Sequence, residues 1–271
     1  MALAVCATPI GNLEDVTLRV LRELREADVV LAEDTRHTRV LLDRHGIEAT
    51  LVSYHRHNEA QRTAELVPRL LAGERVALVS DAGLPGVNDP GARLIAAALG
   101  AGVAVTVLPG PSAVETALVA SGLAGERFQF LGYLPRSEKA LAELWEELAA
   151  WPHPAVAFES PRRLPRSLRS LAAVSPGRAV AVCRELTKRF EEVARGPAAE
   201  LAERFAEPPR GEITLVVGAA DAVEGVGAGE AVGAVGELVA AGVPRRQAAD
   251  VVARLSRLSR NTLYAESLKS N

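Results

Sequence analysis

Little in this sequence offers redox or metal chemistry. It has two cysteines, Cys6 and Cys183. Each sits in an apolar, strand-like run, the setting of a buried reduced thiol and not of a disulfide or a nucleophile. No Cys/His cluster has zinc spacing, so no metal is expected. The longest apolar stretch, residues 94–108, is broken by Gly100, Gly102 and Thr106 and is too short to span a membrane. The start, Met-Ala-Leu-Ala-Val, lacks the basic stretch of a secretion signal, so a cytoplasmic location is expected. No glycine fingerprint for a dinucleotide or a P-loop is correctly placed. Lysine is scarce (Lys139, Lys188, Lys269) and the net charge is −3, although a partner sees a local face, not the sum.

What is present is an alternation of short β-branched runs with helical patterns. Strands are expected at 3–7, 29–32, 50–53, 76–80 and 103–108, with helices at 15–26, 35–44, 61–72 and 90–99. That order implies a mainly parallel sheet covered by helices. A second set has strands at 127–131, 155–159, 179–183, 192–195 and 213–217, with helices at 138–149, 164–173 and 198–205. The resulting expectation is an α/β domain over 1–112, a second over 113–218, a Gly/Ala-rich linker over 219–236 and a small helical module over 237–271. Residues 109–121 would connect the two α/β domains, and such clefts favour ligands.

Four polar loops follow strands of the first set, where α/β sheets place ligands. Ala7-Thr8-Pro9-Ile10-Gly11-Asn12 follows the first strand; a helix cap accounts for Asp15 but not for Thr-Pro-Ile-Gly-Asn. Glu33-Asp34-Thr35-Arg36-His37 holds more charge than a cap needs. Ser80-Asp81-Ala82-Gly83-Leu84-Pro85-Gly86, running on to Asp89-Pro90-Gly91, is rigid and exposes backbone groups. Pro109-Gly110-Pro111-Ser112-Ala113 opens a helix with small residues, which admit a ligand to its N-terminus.

Together with Phe158-Glu159-Ser160-Pro161-Arg162-Arg163, Arg184-Glu185-Leu186-Thr187-Lys188 and Arg210-Gly211-Glu212-Ile213, these motifs occur in one order. In that order the chain resembles the tetrapyrrole methylases, and within them the 16S rRNA 2′-O-ribose cytidine methyltransferases. The resemblance implies two α/β domains of tetrapyrrole-methylase type, S-adenosylmethionine in the cleft between them, and a homodimer. It places Pro9, Asp81, Gly83, Leu84, Ser112 and Ala113 at the cofactor, with Leu134, Leu186 and Thr214 as walls from the second domain. The tetrapyrrole enzymes usually carry Gly-x-Gly-Pro-Gly-Asp after the first strand. Thr-Pro-Ile-Gly-Asn stands here instead, which argues against a porphyrinoid substrate, the alternative to ribosomal RNA.

A ribose hydroxyl is a poor nucleophile, so a base or a nearby cation should assist its attack. Lys188, Glu185, Glu33 and Asp34 are the candidates. Asn12, Arg36, Arg162 and Arg163 are expected at the substrate, with Arg166 and Arg169 continuing a run free of acids. Residues 238–271 carry Arg245, Arg246, Arg254, Arg257, Arg260 and Lys269 against Asp250 and Glu266. Phosphate contact is expected there, with Leu255, Leu258, Leu263 and Leu268 as the module's apolar face.

Overall fold

The computed structural model describes residues 2–220, 228–256 and 258–269. Short runs of Val, Leu and Ala form β1 (Leu3–Cys6), β2 (Val29–Ala32), β3 (Leu51–Ser53), β4 (Val76–Val79) and β5 (Val105–Leu108). β1, β2 and β4 are buried along their whole length, as strands covered on both faces must be. The strands pair in parallel in the order β3-β2-β4-β1-β5. α1 (Leu18–Glu26) and α2 (Thr35–Arg44) cover one face, and α3 (Glu59–Leu71) and α4 (Ala92–Gly100) the other. Because every strand runs the same way, the loops after β1, β2, β4 and β5 emerge at one edge.

The second sheet is β6 (Gln129–Tyr133), β7 (Ala155–Glu159), β8 (Ala179–Arg184), β9 (Glu192–Pro197) and β10 (Ile213–Val217), ordered β6-β7-β10-β8-β9. Only β6 and β7 pair in parallel; the other three pairings are antiparallel. The connection between β8 and β9 is too short for a crossover, so these strands can only form a hairpin. α6 (Glu138–Ala149), α7 (Leu164–Val174) and α8 (Ala198–Arg204) cover one face around the fully buried Trp145.

Residues 109–121, expected as a connection, mostly form α5 (Ala113–Ser121). Its Val114, Ala117 and Leu118 pack on the other face of the second sheet, together with Ile10 from the loop after β1. The buried Arg178 closes this unit. Its guanidinium donates to the carbonyls of Gly218, Leu148, Ala149 and Trp151, joining the end of β10 to the end of α6.

Residues 2–219 form one compact unit and 220–269 a second. Among its described residues three helices build the second: α9 (Ala228–Ala240), α10 (Arg245–Ser256) and α11 (Arg260–Lys269). α9 occupies positions expected as linker; 221–227, with Gly225 and Gly227, lie outside the described residues, as does Arg257. The core is Ala231, Val235, Ala248, Ala249, Val252 and Leu263. Leu255 and Leu268, expected in it, are exposed. Leu255 lies off the buried Ala248–Val252–Ser256 stripe of α10, and Leu268 follows Ser267, which takes the buried position one turn after Leu263.

Candidate active site

The loops at the edge of the parallel sheet face the second sheet across a cavity of about 1170 Å³. Glu33, Asp81, Gly83, Leu84 and Asp89 line it from the loops after β2 and β4, and Ser112 and Ala113 from the start of α5. Leu186, Thr214, Phe130, Phe158 and Tyr133 line it from the second sheet.

The loops hold one another. Thr8 and Gly83 exchange backbone hydrogen bonds, Thr8 N to Gly83 O at 2.8 Å and Gly83 N to Thr8 O at 3.0 Å, and the Thr8 hydroxyl donates to Ser80 O at 2.9 Å. Gly83 has φ +78°, a conformation glycine adopts without steric cost. Gly11 is required for a different reason. A Cβ there would lie 2.5 Å from Lys188 Cγ and 2.8 Å from Leu186 O, so the loop after β1 packs directly on the β8–β9 hairpin loop.

Three carboxyl groups share the wall. Asp81 Oδ1 accepts the Asp34 N–H at 3.0 Å. Burial, then the charges of Glu33 and Asp81, push the Asp89 carboxyl up to about 6. Glu33 is raised by burial and by Asp81. Such repulsion makes the wall a natural place for a cation. Asp89 was not singled out from the sequence, because its perturbation arises from packing between loops. Cys183 also lines the cavity, but burial raises its thiol to about 11, so it is inert at neutral pH.

Several expected site residues lie elsewhere. Asp34 caps α2 by accepting the Arg36 N–H, and it pairs with the Arg36 side chain; both face solvent. The hydrogen bonds from Arg36 hold the Asp34 carboxyl well below the usual range, which makes it a poor base. Asn12 and Lys188 line a separate depression of about 480 Å³, with Arg44 and Arg189. Lys188 Nζ lies 2.9 Å from Glu185 Oε1 and 3.0 Å from Glu212 Oε2. Burial acts to lower the Lys188 pKa, but the hydrogen bonds to Glu185 and Glu212 and the charges of both carboxylates together outweigh it and keep the ammonium charged. Arg163 is committed to the buried Glu159 and to the carbonyls of Leu134 and Pro135, whereas Arg162 is exposed. Pro9 is buried and its neighbour Ile10 takes the wall. In the second unit, Arg245 donates to Ser267 O and Arg246 is exposed.

Leu134 lies in the helix-covered core of the second sheet, not on the cavity. The cause is a bulge in β6. Phe130 pairs with Val156 and Tyr133 with Phe158, so β6 spends one residue more than β7 over that span. Gly132, at φ +68°, is the residue outside the alternation. The bulge moves Tyr133 to the Phe130 face and sends Leu134 to the core.

Residues 2–202 match the family of Tetrapyrrole (Corrin/Porphyrin) Methylases. The chain belongs to that family. It is 47% identical over 224 residues to the "Ribosomal RNA small subunit methyltransferase I" of Mesorhizobium japonicum, covering 82% of this chain and 76% of that one. The protein of the same name from Escherichia coli O157:H7 is 39% identical over 271 residues, covering 98% and 94%. Among solved structures, the methyltransferase CobJ superposes with a TM-score of 0.62 at 22% identity over 80% of this chain and 94% of that one. A Thermus thermophilus uroporphyrin-III C-methyltransferase complexed with S-adenosyl homocysteine does so at 0.55, with 21% identity over 80% and 96%.

Proposed function

We infer that this chain transfers a methyl group from S-adenosylmethionine to the 2′-hydroxyl of a cytidine ribose in 16S ribosomal RNA of the small subunit. The observation that carries the reading is the match, over nearly the whole chain, to rRNA small subunit methyltransferases I, with the loops after β1, β2, β4 and β5 converging on one cavity. We further propose a homodimer in the cytoplasm. No helix among the described residues is long and apolar enough to cross a membrane.

The cavity fits the cofactor. The N-terminus of α5 leaves its first N–H groups without a side-chain cap from Ser112, so it can receive a carboxylate. Glu33, Asp81 and Asp89 face any positive centre held beside them, and Gly83 lets backbone approach closely. When bound, the cofactor supplies an electrophilic methyl group on a cationic sulfur. The protein must then orient the hydroxyl and take its proton. Asp89, titrating at about 6, is the best-matched acceptor, with Glu33 as its neighbour. Lys188 acts as a positioning residue: it ties the 185–188 loop to Glu212, and both the loop and Glu212 reach the cavity wall through Leu186 and Glu212.

The test is a map of ribose methylation along 16S rRNA from cells with and without the protein, repeated with purified protein, cofactor and subunits. One site lost and then restored supports the reading. An unchanged map, with methylation of a porphyrinoid instead, overturns it.

A further inference from the structure

The chain is poor in aromatic residues, with five Phe, two Trp and three Tyr. Four of these, Phe128, Phe130, Tyr133 and Phe158, line the cavity of about 1170 Å³. Phe130 and Tyr133 each meet the Phe158 ring edge-on, at centroid distances of 5.0 and 5.6 Å. Tyr133 is nevertheless 63% exposed and Phe128 39% exposed. Ordinary alternation along β6 would have placed Tyr133 beside Leu131, on the helix-covered face. The bulge at Gly132 instead re-aims it into the cavity, and Gly132 is held there against Asn88 of the loop after β4. The fold thus spends an irregularity on presenting a ring to solvent beside the acidic wall.

Resting on the function proposed above, we propose that Tyr133, backed by Phe158 and flanked by Phe128, is the platform on which the base of the target nucleotide stacks once it leaves the RNA stack. Three features favour a base over the cofactor as occupant. The cavity, at about 1170 Å³, exceeds the roughly 300–1,000 Å³ of ordinary small-molecule pockets, leaving room for a second ligand. The rings stand on the second sheet, across from the carboxylate loops and the start of α5. Their exposure places them where a macromolecule can reach. Proteins recognise unpaired RNA bases by stacking them on such rings.

The experiment compares wild type with Tyr133→Leu, which keeps bulk without a π-face, and Tyr133→Phe, which restores the ring. Methylation of purified small subunits is measured at subsaturating subunit concentration, and S-adenosylmethionine affinity by calorimetry. Loss of one base stack is expected to lower kcat/KM about tenfold in Tyr133→Leu. Tyr133→Phe should recover the rate, and cofactor affinity should stay within about twofold in both. A Leu variant as fast as wild type overturns the proposal. So does a matching fall in cofactor affinity, which assigns the rings to the cofactor. If wild type methylates no small-subunit RNA, the parent reading fails and takes this one with it.

Discussion

Asp89 shows how one side chain can trade stability for chemistry. Burial and two neighbouring carboxylates raise its carboxyl from 3.8 to about 6, so the fold prefers it protonated. The stabilising neutral form is fully present below about pH 4 and is lost as pH rises through 6. Asp89→Asn should therefore melt higher than wild type at pH 8 and alike at pH 4, as calorimetry can read. If Asp89 takes the hydroxyl proton, the wild-type single-turnover rate should climb through about pH 6 and level off. The Asn variant should be slower by about 10²–10⁴-fold with no such step. An unshifted melting temperature would show that the carboxyl is not strained. The sequence exposes Asp89 as part of a rigid loop, but the cause of its shift is not local: burial comes first, then the charge of Glu33 from the loop after β2 and that of Asp81 from the start of its own loop.

At the level of strands and loops, the first sheet was legible because its apolar runs and caps are local signals. Asp34 before α2 accepts a helix N–H as capping chemistry requires, whereas α1 starts later than expected and is capped by Thr17, Asp15 instead ending a short 3₁₀ turn capped by Asn12. The cap also explains why Asp34 and Arg36 left the site, since the same hydrogen bonds that start the helix turn both outward. The mixed second sheet was less legible, because direction is set by connection length and not by strand composition. Least legible was the bulge, which inverts the parity of β6 after Gly132 and so sends Leu134, expected at the cofactor, to the core and turns Tyr133 to the cavity. The bulge carries a prediction. Removing Gly132 leaves Tyr133 opposite Phe158 and Leu134 in the core, whereas Gly132→Val forces a branched side chain into φ +68°, toward Asn88. Deletion should thus lower the melting temperature less than substitution. The reverse order would show that Gly132 is not the extra residue.

The whole chain divides into a unit with its own cores and a basic helical module. If the module contacts phosphates, a chain ended after Ala219 should fold and bind cofactor. It should methylate subunits poorly, with a shallower salt dependence of RNA binding. Equal methylation by the shortened chain would give the module another role. Where the cut falls matters, because of Arg178. Gly218 accepts from the Arg178 guanidinium at 2.8 Å and donates its own N–H to Ala179 O at 2.8 Å. A chain ended at Val217 loses both bonds and leaves a buried cation short of an acceptor, a penalty of about 1–3 kcal/mol or more. The first compact unit therefore has a sharp edge: Gly218, which bears no side chain, belongs to the core as firmly as a buried leucine.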